Sequence, residues 1–213
     1  MKMRHLVMGA TAIVLMNGGA ANAAPVTVGE SYTITESGFS GNPPTITDDL
    51  TGIFNRRGFV ASATQLLKLA HRDMQNVLLF YFDFDNLKGI NDSSGHREGD
   101  LALIRTAGAL EKTFRDSDVL ARLGGDEFAV LALEASVPDV RLILSRLEEN
   151  LKPANAKDFH YKLAVSVGVA RYDPRSPVSV GELIDIADQD MYKHKHSGLR
   201  ASVGPPFRTA AGA

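Results

Sequence analysis

Hydrophobic positions between residues 48 and 205 repeat with two periods, one typical of helices and one typical of strands. Apolar residues at spacings of three and four predict helices, whereas unbroken or alternating apolar runs predict strands. The pairs Ser136 with Asp139 and Ser179 with Glu182 have the spacing of capping boxes and mark two helix starts. The predicted helices cover about 55–72, 98–114, a segment after Ser136 and 179–198, and the predicted strands cover 77–84 and 160–172.

A predicted hairpin decides the fold class. Residues 122–130 read RLGGDEFAV, so two glycines and two acids separate two runs that are rich in strand-forming residues. Because a hairpin pairs its strands antiparallel, we expect an α+β fold with a mainly antiparallel central sheet flanked by helices, rather than a doubly wound parallel sheet. We interpret residues 48–205 as one domain of this kind.

The two ends of the chain differ in composition from this domain. Residues 1–23 combine a positive start, an apolar run and the sequence Ala21-Asn22-Ala23, which resembles a secretory signal peptide. An uncleaved weak anchor or a wrongly chosen start codon is the alternative. Residues 24–47 are rich in Gly, Pro, Ser and Thr, which predicts a linker or extended arm, and residues 206–213 predict a flexible tail.

Charge and cysteine content limit the possible partners and chemistry. The formal net charge of -2 gives no general attraction for polyanions, so we expect no polymeric nucleic acid partner. A phosphate-bearing ligand must then be held by local groups. The chain has no cysteine, which excludes disulfides, thiolate metal ligands and cysteine nucleophiles.

Two acidic residues lie where predicted strands end. Asp83 ends the buried strand and Asp126 lies in the hairpin turn, so their carboxylates approach each other if the strands are neighbours. Such a pair repels itself, and a hard divalent cation, Mg²⁺ or alternatively Mn²⁺, relieves the repulsion. We assign Asp83 rather than Asp85 to this site, because we expect Asp85 to face the other side of the sheet.

The glycines of the turn allow two interpretations. Gly124 and Gly125 permit positive φ and leave room for a ligand to approach the backbone. Gly and Asp are also the ordinary residues of hairpin turns, so the turn alone does not establish a ligand site.

Five short motifs follow one another along the predicted domain. They are Asp48-x-Leu50-Thr51-Gly52; a stretch from Asp83-Phe84-Asp85 through Lys88, Asn91-Asp92 and Gly95-His96 to Gly99-Asp100; Gly124-Gly125-Asp126-Glu127-Phe128; Ser166-Val167-Gly168-Val169-Ala170; and Ala187-Asp188 through Met191-Tyr192 to Lys195. In this order they resemble the GGDEF family, the diguanylate cyclases, which join two GTP molecules into cyclic di-GMP. The resemblance covers residues 48–202 and implies GTP as substrate and cyclic di-GMP as product.

The resemblance also implies roles for the matched residues. Asp83, Asp126 and the backbone carbonyl of Phe84 are the implied ligands of Mg²⁺ on the GTP phosphates. Glu127 is implied as a second metal contact or as the group that deprotonates the attacking hydroxyl. The implied contacts to GTP are Asn91 and Asp100 for guanine, Lys88 and Lys195 for the triphosphate, and Gly124 and Gly125 for close approach, with Lys88 also stabilising the transition state.

These nucleotide contacts have ordinary structural alternatives. Taken alone, Asn91 suits a loop turn, Asp100 suits the first turn of a helix, and a single lysine is more often a solvated charge.

Assembly and regulation follow from the same resemblance. One chain is expected to hold one GTP, so the reaction requires a homodimer with two chains facing each other across a two-fold axis. Arg115 and Asp118 match the R-x-x-D pattern of the family's inhibitory product site, with Arg146 as a possible second arm. The ordinary alternative for Arg115 is a cation at a helix C-terminus.

Two features depart from the family pattern. After Lys195 the family usually reads G-R-N, whereas here Leu199 follows Gly198, so a phosphate-binding arginine is missing or displaced by one position. GTP use implies a cytoplasmic protein, whereas residues 1–23 imply export or anchoring, and the location stays open. The alternative function is a catalytically weak or inactive module that binds GTP or cyclic di-GMP as a sensor.

Overall fold

A five-stranded sheet with helices on both faces dominates the computed structural model, which describes residues 34–35, 38–39, 45–133, 137–152 and 161–196. Within these ranges the strands are β1 (Ile34–Thr35), β2 (Gly38–Phe39), β3 (Phe54–Asn55), β4 (Val77–Phe84), β5 (Val119–Gly124), β6 (Glu127–Leu133) and β7 (Val165–Tyr172). The helices are α1 (Arg56–Arg72), α2 (Leu87–Ser94), α3 (His96–Thr113), α4 (Val137–Leu151) and α5 (Val180–His196).

The order of strands confirms the predicted fold class. The main sheet has the order β3-β5-β6-β4-β7, and every neighbouring pair is antiparallel except β3 with β5. β1 and β2 form a separate antiparallel pair. β4 lies between β6 and β7 and is covered by helices on both faces, which explains its unbroken apolar sequence.

Alternate side chains of β4 enter two hydrophobic cores. Phe80 and Phe82 pack with helices α3 and α4, and both rings meet the ring of Phe114 edge-on. Leu79 and Tyr81 point to the other face, where α1 and α5 cover the sheet. Because β4 is buried on both sides, a shift of its register by one residue would exchange the two cores.

Several predicted boundaries are confirmed. The side chain of Asn55 caps α1 by accepting the N–H of Gly58 at 3.0 Å. The capping box before α5 is present, because Glu182 accepts the N–H of Ser179 at 2.8 Å and the Ser179 hydroxyl accepts the N–H of Glu182 at 3.2 Å. Ser136 lies outside the described residues.

Three element predictions need correction. Helix α2 was not predicted, because it is short, contains Gly89 and two serines, and follows Asn86, whose left-handed φ of 64° is not accompanied by a side-chain cap. Helix α3 begins at His96 rather than at 98, after Gly95 with φ of 87°. Strand β7 begins at Val165 rather than at 160.

Helix α5 lies unusually close to β7. A Cβ atom on Gly168 would lie 2.0 Å from the carbonyl oxygen of Ala187 and 2.5 Å from the amide nitrogen of Met191. The carboxylate of Asp190 accepts the N–H of Val169 at 3.0 Å. These contacts hold α5 against β7, an edge strand of the sheet.

A salt bridge joins the segment before α1 to the β5–β6 hairpin. Asp48 accepts the N–H and the hydroxyl of Thr51 at 2.9 and 2.7 Å, and Nη1 of Arg122 lies 3.2 Å from its Oδ1. The side chains of Arg122 and Asp48 are only 14% and 21% exposed, so solvent screens this pair less than an open surface pair. Burial raises the pKa of Asp48, but the Thr51 hydrogen bonds and the Arg122 guanidinium outweigh burial and lower the pKa below its ordinary value.

Substitution Gly168→Ala tests the close packing of α5. We expect a loss of about 1–3 kcal/mol in the free energy of unfolding, because the added methyl group would meet backbone atoms that cannot rotate away. Gly108→Ala is the control, because a Cβ there meets nothing within 4 Å and alanine favours the interior of α3. Urea unfolding of both variants measures the difference. Equal stability of the two variants would contradict the packing described here.

Substitution Asp48→Asn tests the salt bridge through its pH dependence. A carboxylate with a lowered pKa contributes stability that is complete above its unfolded-state pKa and is lost as pH falls through the folded-state pKa. We therefore expect the variant to be about 1–2 kcal/mol less stable than the parent at pH 7, with the gap closing below about pH 4. Urea unfolding from pH 7 to pH 3, with exposed Asp49→Asn as the control, checks this. A gap independent of pH would contradict it.

Candidate functional site

The end of β4 meets the β5–β6 turn, as the sequence predicted. Asp83 lies directly opposite Glu127 in the antiparallel ladder, and the N–H of Phe84 donates to the carbonyl of Asp126 at 2.8 Å. Opposed residues in a ladder project from the same face, so Asp83 and Glu127 share the face that carries α1 and α5. The backbone pairing therefore brings Asp83 of β4 and the turn acids Asp126 and Glu127 to the same end of the sheet.

The turn depends on glycine for its backbone conformation. Gly124 has φ of 152° and Gly125 has φ of 51°, and both values disfavour residues with a side chain. A register shift between Arg122 and Gly124 places a bulge at Leu123 immediately before the turn. A Cβ on either glycine would meet nothing within 4 Å. The described surroundings thus leave open space above the turn.

Two arginines hold the backbone on the β5 side of the turn. The Nε and Nη2 atoms of Arg122 donate to the carbonyl of Gly125 at 3.0 and 2.7 Å, while its Nη1 reaches Asp48. Nε of Arg56 donates to the carbonyl of Leu123 at 3.3 Å. The sequence did not predict these contacts of the two arginines, because backbone carbonyls as partners leave no signature in residue spacing.

Glu127 is held from two sides. Its carboxylate accepts a hydrogen bond from Tyr81, and its Oε2 lies 3.7 Å from Nη2 of Arg56. Tyr81 is only 4% exposed. Burial, together with the hydrogen bond to Glu127, raises the pKa of the Tyr81 phenol far above its ordinary value, so the hydroxyl keeps its proton and donates. The sequence did not predict this contact of Tyr81.

Lys195 of α5 reaches the acids at the end of β4. Its Nζ lies 2.6 Å from Oδ1 of Asp83 and 3.8 Å from Oδ1 of Asp85, which also accepts the Ser166 hydroxyl at 2.7 Å. The expectation that Asp83 and Asp85 face opposite sides is wrong. Residues two apart along an extended chain project from the same face, and one lysine contacts both acids.

The donor atoms at this edge suit a hard divalent cation. Asp83, Asp126 and the carbonyl of Phe84 offer oxygen atoms, which Mg²⁺ and Mn²⁺ prefer over nitrogen or sulfur. In the described ranges no group of three or more acidic, histidine or cysteine side chains is assembled for metal binding. Backbone, substrate or water oxygens would have to complete the coordination. The ammonium group already in contact with Asp83 shows that this carboxylate attracts positive charge.

Helices α2 and α3 carry three of the residues predicted to contact the nucleotide, Lys88, Asn91 and Asp100. A Cβ on Gly99 would lie 2.0 Å from Oδ1 of Asn91, so the Asn91 side chain packs against the start of α3. This packing places Asn91 beside the residue that precedes Asp100. Asp100 and Lys88 are both exposed to solvent. Since α2 follows β4 directly, these residues belong to the same end of the domain as Asp83.

The predicted product-site residues lie together at the other end of β5. Asp118 accepts the N–H groups of Arg115 at 2.9 Å and of Leu133 at 3.3 Å. Burial raises the pKa of Asp118, while these hydrogen bonds and the positive charges of Arg115 and Arg146 act against it. Both arginines are therefore close enough to act on one carboxylate, and their side chains are exposed.

Some predictions fall outside the described residues. These are Leu199, the signal-like segment 1–23 and the tail 206–213; of the predicted arm, only residues 34–35, 38–39 and 45–47 are described. Among the helices that are described, none has the length and apolar character needed to cross a bilayer.

Sequence comparison finds related curated proteins. Diguanylate cyclase DgcP of Escherichia coli K12 is 34% identical over 152 residues, which cover 70% of this chain and 44% of that protein. Diguanylate cyclase DgcP of Pseudomonas aeruginosa PAO1 is 36% identical over 159 residues, which cover 72% of this chain and 23% of that protein. The chain thus matches less than half the length of these relatives.

Solved structures and a family model agree with this relationship. The GGDEF domain of DgcB from Caulobacter crescentus, in complex with c-di-GMP, superposes with a TM-score of 0.67 at 24% identity, over 76% of this chain and 96% of that one, which supports the fold. The GGDEF domain of TpbB from Pseudomonas aeruginosa superposes with a TM-score of 0.64 at 32% identity, over 71% of this chain and 89% of that one. The family model described as diguanylate cyclase, GGDEF domain, matches residues 45–201. The chain therefore belongs to the GGDEF-domain family of diguanylate cyclases.

Proposed function

We propose that the domain is an active diguanylate cyclase, which condenses two GTP molecules into cyclic di-GMP and releases two pyrophosphates. The observation that carries this proposal is the β4–β6 pairing, which brings Asp83 and Phe84 beside Asp126 and Glu127. Membership of the family and relatives named diguanylate cyclase support the same activity.

Asp83, Asp126 and the carbonyl of Phe84 would hold the divalent cation, with Mg²⁺ as the first candidate and Mn²⁺ as the second. When bound, the metal would offset the negative charge of the GTP phosphates. Lys88 and Lys195 would add positive charge around the triphosphate and the departing pyrophosphate. The open space above Gly124 and Gly125 would admit the phosphates close to the turn.

Asn91 and Asp100 would select guanine. An aspartate carboxylate accepts hydrogen bonds from the N–H groups on the Watson–Crick edge of guanine, and adenine would leave that charge unpaired. The packing of the Asn91 side chain against Gly99 restrains it beside the residue that precedes Asp100. The pair would therefore discriminate against ATP.

Glu127 is the candidate for a second metal contact or for accepting the proton of the attacking 3′-hydroxyl. Tyr81 and Arg56 hold its carboxylate at the face shared with Asp83. A carboxylate that is already oriented loses less freedom when it meets the substrate.

The reaction needs two GTP molecules, and one chain would hold one of them. A homodimer with its two sites facing each other across a two-fold axis would bring each 3′-hydroxyl to the other nucleotide's α-phosphate. Binding of cyclic di-GMP at Arg115, Asp118 and Arg146 would inhibit the enzyme, since arginines suit phosphate and the carboxylate suits guanine.

A sensor without turnover is the second candidate. The specific feature that favours it is Leu199, which stands where the family usually carries arginine and would leave the triphosphate with one fewer cationic contact. In this case the domain would bind GTP or cyclic di-GMP with no product formed.

Substitution Asp126→Ala tests the proposed activity. Incubation of the parent with GTP and Mg²⁺, followed by chromatographic separation of nucleotides, should yield cyclic di-GMP and pyrophosphate. We expect the variant to lose at least about a hundredfold in rate, because it removes a carboxylate proposed to hold the metal at the reacting phosphates. Glu111→Ala, an exposed acid on α3, should retain the parent rate. Binding of GTP by the parent without any product would favour the sensor.

Substitution Arg115→Ala tests product inhibition. We expect the concentration of cyclic di-GMP that halves the rate to rise about tenfold, because charge-assisted hydrogen bonds to phosphate are lost. Each protein is normalised to its own uninhibited rate. Arg175→Ala, an exposed arginine before α5, is the control and should keep the parent's sensitivity. Equal inhibition of Arg115→Ala and the parent would contradict a product site at Arg115.

A further inference from the structure

Asp83, the carboxylate proposed to bind the metal, already has a cationic partner in Lys195. Nζ of Lys195 lies 2.6 Å from Oδ1 of Asp83 and 3.8 Å from Oδ1 of Asp85, so one cation lies between two carboxylates. The side chains of Lys195, Asp83 and Asp85 are 34%, 24% and 38% exposed, so water weakens but does not eliminate the attraction. The lysine thus contacts the carboxylate proposed to bind metal.

The position of α5 makes this contact a built feature of the fold. Ala187, Met191 and Lys195 follow each other at four-residue spacing, so they share the face of the helix that packs on the sheet. Ala187 and Met191 are buried against Gly168, where no side chain separates helix from strand. Lys195 therefore lies on the same face of α5 as Ala187 and Met191, and its side chain extends past β7 to the end of β4.

A divalent cation bound at Asp83 would compete with the Lys195 ammonium for the same oxygen atoms. Like charges a few ångströms apart repel each other, and each would take Asp83 from the other. A metal ion bound to GTP would change this balance, because the triphosphate would bring negative charge and offer the Lys195 ammonium a partner other than Asp83.

We propose that Lys195 occupies the cation position at Asp83 until nucleotide binds, and then exchanges Asp83 for the triphosphate as the metal enters with GTP. Lys195 then excludes free divalent metal and favours metal that is already bound to nucleotide. The part that concerns GTP rests on the proposed function, whereas the competition with free metal depends only on the contacts of Asp83.

Removal of the lysine charge has two opposite expected effects. Without nucleotide, Mn²⁺ should bind more tightly, because its competitor is gone. With a nonhydrolysable GTP analogue, binding of the nucleotide with metal should weaken, because a triphosphate contact is gone. A residue that only contacts phosphate would produce the second effect without the first.

The test is Mn²⁺ binding to the full chain without nucleotide, measured by electron paramagnetic resonance of the free ion. We expect Lys195→Met to tighten binding about threefold to tenfold, a range set by a partly exposed charge pair. Lys195→Arg, which keeps the charge, and Lys193→Met, an exposed neighbour on α5, should stay within about twofold of the parent. Adding Asp83→Asn to Lys195→Met should remove the gain.

Unchanged, weaker or undetectable Mn²⁺ binding by Lys195→Met would overturn the proposal. Circular dichroism confirms that each variant is folded, and Lys195→Gln replaces Lys195→Met if the latter is not. Because the assay contains no GTP, its result is independent of turnover. A protein that makes no cyclic di-GMP but binds Mn²⁺ more tightly without Lys195 would refute the cyclase proposal and leave this exclusion of free metal standing.

Discussion

The antiparallel pairing of β4 with β6 is the constraint on which the rest of the site depends. The ladder places Val77 opposite Leu133 at one end and Asp83 opposite Glu127 at the other, and Phe84 bonds to the carbonyl of Asp126. A slip of one residue would turn the buried phenylalanines of β4 to the wrong core and the acids to the wrong face. Packing of the hydrophobic cores therefore determines where the acidic groups meet.

Three acids at this end of the sheet, Asp83, Asp85 and Glu127, have a partner from another element. Lys195 contacts Asp83, Ser166 donates to Asp85, and Tyr81 with Arg56 holds Glu127. These partners reduce the repulsion that several carboxylates would otherwise create. The partners thus allow several carboxylates to lie at one end of the sheet without loss of the close pairing of the strands.

Residue patterns predicted the parts of this structure that depend on local rules. The apolar run of β4, the Ser179 capping box and the hairpin were predicted because each has a characteristic residue type or spacing. The adjacency of Asp83 to the turn was predicted on the condition that the buried strand pairs with the hairpin, and the β4–β6 ladder meets this condition. The family motifs then extended the prediction to residues such as Asn91, whose sequence context alone favours a turn.

Other parts depend on contacts between distant segments and were not predictable. Helix α2 contains weak helix-forming residues and nevertheless forms against α3, where the Asn91 side chain packs against Gly99. Arg122 bonds to a backbone carbonyl, which has no sequence signature. Lys195 meets Asp83 from a helix that lies close to β7 at Gly168, a contact between segments far apart in sequence.

A crystal structure with Mn²⁺ and a nonhydrolysable GTP analogue would show whether Asp83 and Asp126 share a metal ion. Anomalous difference density would locate the metal independently of the refined protein. We expect a manganese peak between the carboxylates of Asp83 and Asp126, with the Lys195 ammonium moved to the triphosphate. Manganese bound elsewhere, with Lys195 still on Asp83 and the nucleotide away from the turn, would contradict it.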